Sequence, residues 1–141
     1  MNELDYSYQR QVEVWDLNQD GLLKPSAYQT MFEDIADRHL KRIGLDVDVT
    51  TQYGLAWVLV SLSIEVVRPV KGCEVLVGTT WHSQRRGPFY RREFRFCDQA
   101  GKEVFHGTTY SVLMDLNTRK VFRKREAPFL VGAPIETLLM D

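Results

Sequence analysis

Residues 16–27 read "DLNQDGLLKPSA", and the reading of this stretch decides the fold. Asp16, Asn18, Asp20 and Gly21 stand at the first, third, fifth and sixth positions of a calcium-binding EF-hand loop, which would require a helix on either side. That loop also needs a bidentate Glu at its twelfth position. Ala27 is there instead, Lys24 sits at the ninth position, and Pro25 falls inside the loop. The preceding residues exclude the entering helix. Tyr6, Tyr8, Val12 and Val14 alternate with Ser7, Gln9, Gln11 and Glu13, a period of two that belongs to a strand. The stretch therefore reads as an Asx-rich turn from a strand into a helix, and no metal is expected there.

Working outward, a first strand is expected over residues 6–14. Pro25 and Ser26 open a helix, since Pro is tolerated in a first turn and Ser caps well. Tyr28, Met31, Phe32, Ile35, Ala36, His39 and Ile43 share one face. Arg38, Lys41 and Arg42 suit the negative end of the helix dipole, and Gly44 is a natural stop. A polar loop follows, and then a run of strands. In residues 55–67, Ala56, Val58, Val60, Leu62, Ile64 and Val66 form one continuous apolar face, with Trp57, Leu59, Ser61, Ser63 and Glu65 on the other. Further strands are expected over 74–83, 89–97 and 103–114, with a short last one around Val121. "DQAG" at 98–101 is a hairpin turn. One helix cannot cover two sheets. The expected fold is α+β, a curved antiparallel sheet of five or six strands wrapped around one long helix. It spans residues 1–125, and 126–141, with Pro128 and Pro134, is expected to be an arm or linker.

Bulk properties narrow the function. A chain of 141 residues is one domain, and 44% hydrophobic with 26% charged residues is ordinary for a globular protein. A net charge of −1 provides no basic field for nucleic acid. Apolar runs such as "LAWVLV" (55–60) are too short to span a bilayer. No secretory signal opens the sequence, so a cytoplasmic location is expected. Cys73 and Cys97 are too few for a disulfide framework and lie far in sequence from any His that would activate them. His82 and His106 lack ligand spacing, so neither zinc nor any other cofactor is called for.

The element order and several residue sets resemble the hotdog fold, and more closely the acyl-acyl carrier protein (ACP) thioesterases. The matching segments are "GLAWVLVSLSIEVVRPVKGCEVLVGTTW" and "GPFYRREFRFCDQAGKEVFHGTTYSVLMDLNTRK", with the helix "MFEDIADRHLKRIG". They carry a Trp-Val pair opening the strand after the helix, a Thr-Trp ending the next, a Tyr/Arg/Arg-rich strand, an Asp-x-x-Gly hairpin and an Asp before a basic turn. Asp16, Gly21, Tyr28, Phe32 and Glu33 are also similar in spacing to the turn and helix of single-domain acyl-CoA thioesterases of the 4-hydroxybenzoyl-CoA type. Two departures stand out. The ACP enzymes usually carry two repeats, and this chain has one, most like the first. Their Asp-x-Asn-x-His signature, which lies in the second repeat, is matched only by Asp16 and Asn18, because Asp20 occupies the His position. The second acid of the single-domain enzymes is Asn18 here.

The resemblance implies hydrolysis of acyl-CoA or acyl-ACP thioesters. A carboxylate just before a helix N-terminus serves as general base or nucleophile, and the helix's free N–H groups hold the oxyanion. Asp16 is expected to be that carboxylate, with Asn18 positioning the water or the carbonyl and Asp20 able to replace either. Glu33, on a face open to solvent or a partner subunit, and Trp57 are expected to bind substrate. His39 reads as a packed core histidine or as a site residue. Arg85, Arg86, Arg91 and Arg92 at one hairpin are expected to bind the anionic carrier, as, more weakly, are Arg119, Lys120, Arg123, Lys124 and Arg125. In hotdog folds the strand after the helix lies at a seam between two domains. A homodimer or a dimer of dimers is therefore expected, with Trp57 and Leu59 on the outer face buried at that seam. Two alternatives are a non-catalytic acyl-thioester-binding module and the specificity half of a two-repeat thioesterase.

Overall fold

The structure is a computed structural model that describes residues 5–83 and 85–123. The first strand, β1, runs Asp5–Gln11 and pairs antiparallel with β3, Val75–His82. It ends earlier than its alternation suggests. The Asp16 carboxylate accepts the Glu13 N–H at 2.8 Å, which pulls Val14–Asp16 into a turn of 3₁₀ helix. Val14 and Trp15 are left exposed on that turn.

Helix α1, Pro25–Arg42, follows the turn, with Pro in its first turn as expected. Its buried stripe is Ala27, Tyr28, Met31, Phe32, Ile35 and His39. The expected polar loop after α1 instead contains a second helix, α2, Val47–Gln52. Six residues are too few for a periodic signal.

Strands β2 (Leu55–Val66), β4 (Tyr90–Cys97) and β5 (Glu103–Asp115) complete a five-stranded antiparallel sheet in the order β1-β3-β4-β5-β2. Val121 makes only an isolated bridge to Met114, so the sixth strand is absent among the described residues. The expected arm at 126–141 lies outside the described residues. Both edge strands touch α1. Tyr8 of β1 donates to Asp34 at 3.1 Å, and Leu62 and Ile64 of β2 pack into the cluster that holds Phe32 and Ile35. The sheet thus curls around the helix, as the hotdog resemblance implies.

The interior is an aromatic stack. Phe32 of α1 lies flat on Phe94, with ring centroids 4.2 Å apart, Phe96 lies on Phe105 at 4.6 Å, and Tyr28 meets Phe105 edge-on. Burying one such ring contributes roughly 1.5–3 kcal/mol. Two glycines make room for it. A Cβ at Gly107 would come within 2.5 Å of the Phe32 ring, and one at Gly78 within 2.5 Å of Phe96.

The face assignment of β2 needs correction. Leu59 pairs with Ser111 and Ser61 with Tyr110, which leaves Val60 as an extra residue in a bulge. The side-chain alternation changes phase there. Leu55 and Trp57 pack inward with Leu45, Tyr90 and Leu113, while Leu62 and Ile64 pack inward after the bulge. The single apolar face over 55–67 does not exist, and Trp57 lies inside the sheet, not on its outer surface.

Candidate active site

Between α1 and strands β2, β4 and β5 lies a cavity of about 360 Å³. That is within the range of small-ligand sites, about 300–1,000 Å³. Gln29, Glu33 and Asp37 of α1 line its solvent side, where Gln29 and Glu33 are exposed and Asp37 is half-buried. Phe32, Leu62, Phe94 and Trp57 supply apolar wall. Trp57 is oriented by an edge-on contact with Tyr90, at 5.0 Å between centroids, and a long hydrogen bond from its indole N–H to the Leu45 carbonyl, 3.4 Å.

The buried part of the lining combines Phe32 and Phe94 with polar side chains. Arg92 of β4 lies on the inner face because it shares parity with Tyr90, Phe94 and Phe96. It is 5% exposed. Its Nη1 donates to His39 Nδ1 at 2.8 Å and to Thr80 Oγ1 at 3.2 Å, and its Nη2 donates to His82 Nε2 at 2.9 Å. Arginine only donates, so both imidazole atoms are acceptors. His82 therefore carries its proton on Nδ1. Burial first, then Arg92 and His39, hold the His82 pKa well below the ordinary histidine value, so it is neutral. Burial pushes Arg92 down to about 9, which leaves it a cation at neutral pH. Among the described residues no carboxylate pairs with it. Tyr90, also in the lining, keeps its hydroxyl protonated through burial.

The expected catalytic turn is built differently. Asp16 is 4% exposed, and Arg10 holds it with one hydrogen bond, Nη2 to Oδ1 at 3.0 Å, and an ion-pair contact, Nη1 to Oδ2 at 3.0 Å, while Nη1 donates to the Gln11 carbonyl. With the Glu13 N–H, both carboxylate oxygens are engaged. The Asp16 carbonyl also accepts the Lys24 N–H at 2.9 Å, which ties the turn to the residue before α1. Asn18 is exposed; its N–H and carbonyl close a tight turn through Leu22 and Gly21. Asp20 accepts the Leu22 N–H at 3.0 Å. None of the three lines the cavity.

The expected substrate-binding residues divide. Glu33 and Trp57 line the cavity, and His39 touches it through Arg92. The four hairpin arginines form no common patch. Arg85 is buried, with its guanidinium 4.5 Å from the Tyr90 ring centroid and its Nε on the Gly87 carbonyl; Arg92 points inward. Only Arg86 is exposed, and Arg91 is half-buried and paired with Glu93 at 2.5 Å. His82 and Tyr90 went unassigned at the sequence level, although the parity of β4 already puts Tyr90 beside Arg92 on the apolar face.

A family model described as the acyl-ACP thioesterase N-terminal domain matches residues 3–127. No curated protein matches the sequence. Solved structures are similar throughout. An acyl-ACP thioesterase from Bacteroides thetaiotaomicron is 23% identical with a TM-score of 0.84, over 100% of this chain and 56% of that one. The 12:0-ACP thioesterase from Umbellularia californica is 19% identical, TM-score 0.82, over 98% of this chain and 55% of that one. A 1,4-dihydroxy-2-naphthoyl-CoA thioesterase from Synechocystis is 19% identical, TM-score 0.80, over 96% and 95%. The chain thus spans about half the length of the ACP enzymes and nearly all of the single-domain one, and it shares the hotdog fold with both.

Proposed function

This chain belongs to the acyl-ACP thioesterase N-terminal domain family, and from that premise we propose that it takes part in the hydrolysis of acyl-ACP or acyl-CoA thioesters, with the cavity beside α1 holding the acyl group. The observation that carries this is the cavity itself, largely apolar and lined by α1, by Val47 and Thr50 of α2 and by the sheet, with Glu33 exposed among its lining. In this reading Asp16 is the general base or nucleophile, Asn18 positions the water or the carbonyl, and the N-terminus of α1 stabilises the oxyanion. Glu33 and Trp57 contact the substrate, and Arg86 and Arg91 meet the anionic carrier. A second hotdog domain, from another copy or from further chain, pairs along β2, an edge strand with Leu59, Val60 and Val66 exposed.

A second reading is favoured by one specific observation. Arg10 and the Glu13 N–H already occupy both oxygens of Asp16. A carboxylate so engaged is a poor base, and the chain is then the acyl-holding, specificity-setting half, with hydrolysis performed by a second repeat. Hydrolysis of a panel of acyl-CoA and acyl-ACP esters by wild type and Asp16→Asn separates the two. Loss of roughly 10²–10⁴-fold in kcat with folding intact supports Asp16 as the catalytic group. Full activity in Asp16→Asn removes it from the chemistry. Binding without turnover on any ester supports the second reading.

A further inference from the structure

The buried end of the cavity is not built for hydrocarbon. An apolar acyl tail is matched by apolar walls, and a buried polar group without a partner carries a desolvation cost. Here two lining residues each bury such an atom. His82 Nδ1 and Tyr90 Oη have no hydrogen-bond partner among the described residues, although the two residues are only 4% and 2% exposed. The tautomer argument makes His82 Nδ1 a donor, since Arg92 occupies Nε2. Arg92 lines the same cavity and brings a guanidinium whose recorded partners are neutral: two imidazoles and the Thr80 hydroxyl. Thr109, also buried, adds a hydroxyl to the lining. These polar groups line one cavity together with an uncompensated cation, without a described acceptor of opposite charge.

We propose that this end of the cavity is a carboxylate subsite formed by Arg92, His82 and Tyr90, and that the preferred acyl group carries a carboxylate remote from its thioester. A carboxylate is acceptor-only and planar. It satisfies the His82 Nδ1–H and the Tyr90 O–H and neutralises Arg92, which a methyl terminus does not. The inference deepens the proposed function, because it rests on the acyl group entering this cavity.

The experiment is calorimetric binding and hydrolysis of paired straight-chain CoA esters, butanoyl to decanoyl, each with and without a terminal carboxyl. At the best-fitting length the carboxylated ester is expected to bind at least about tenfold tighter, as a charge-assisted contact warrants. Arg92→Met is expected to bring the ratio to about one, and Arg92→Lys to keep part of it. Tyr90→Phe removes a single oxygen that no described residue engages, so it keeps the fold; it is expected to lower the ratio several-fold and tests the idea even if Arg92→Met fails to fold. Equal or tighter binding of the plain esters, or a ratio that neither Arg92→Met nor Tyr90→Phe moves, overturns the subsite while leaving the thioesterase reading intact. Selective binding without turnover overturns only the hydrolytic role. Failure to bind either member of any pair overturns acyl binding itself.

Discussion

Asp16 and Arg92 are both almost fully buried charges on strand or turn positions flanking α1, yet their surroundings are opposite in kind. Asp16 is met by the Arg10 cation, through one hydrogen bond and one ion-pair contact, and by a backbone N–H, so its charge and both oxygens are satisfied within the chain. Among the described residues, Arg92 is met only by neutral acceptors, and His82 and Tyr90 beside it in the lining keep a polar atom without a partner. A satisfied buried ion stabilises the arrangement that satisfies it, and breaking it exposes that dependence. An unsatisfied one costs stability, and its presence in a cavity marks where a ligand completes the set. The contrast separates a turn whose buried charge is met within the chain from a cavity lining whose buried cation meets only neutral acceptors among the described residues.

The largest test of this contrast is Asp16→Ala. It leaves Arg10, which is largely buried, without its partner and frees the Glu13 N–H, so a loss of roughly 3 kcal/mol is expected in urea unfolding. A change below about 0.5 kcal/mol would place Asp16 among groups held for chemistry alone. A smaller effect is expected from pH. His82 is held well below the ordinary histidine value of about 6.5, so the unfolded chain takes up a proton that the folded chain refuses. This group leaves stability unchanged above about pH 6.5. Below it, stability falls by up to about 1.4 kcal/mol per pH unit until the folded pKa is reached. Melting wild type and His82→Gln side by side from neutral to mildly acid pH should give a shallower decline in the variant. Parallel declines would mean that His82 is not the group that resists protonation. The smallest effect is expected for Arg92→Met. Removing an unpaired charge from the interior offsets the cost of leaving His39 Nδ1 and His82 Nε2 without their donor, so stability should change by less than about 1 kcal/mol. A loss as large as that of Asp16→Ala would erase the contrast.

Much of the architecture was legible in local pattern. The strand period before Asp16, Pro25 at the start of α1 and the stripe from Tyr28 to His39 led directly to a sheet wrapped on one helix, and the ordered segments after residue 55 led to the hotdog resemblance. Three features were not legible, for separable reasons. Helix α2 is too short to display a period. The Val60 bulge adds one residue, so a continuous apolar run concealed a change of face. The arginines at the hairpin were adjacent in sequence, but a strand sends neighbours to opposite faces, so Arg92 went inside while Arg91 stayed half-exposed. The candidate site was harder still. Its polar end joins His39 of α1, Thr80 and His82 of β3 and Arg92 of β4, residues that only the folded sheet brings together. Asp16 was conspicuous because turn residues announce themselves, and the role of Arg10 in holding it depends on a distance that no spacing encodes.

At the Val60 bulge, one extra residue in an edge strand acts as a frame marker: before it Leu55 and Trp57 pack inward, on odd numbers, and after it Leu62 and Ile64, on even ones. A single-residue deletion at this point would exchange the cavity wall for the solvent face over half of β2 while altering no other strand. The number of residues at this point thus sets which side chains of β2 form the chamber wall.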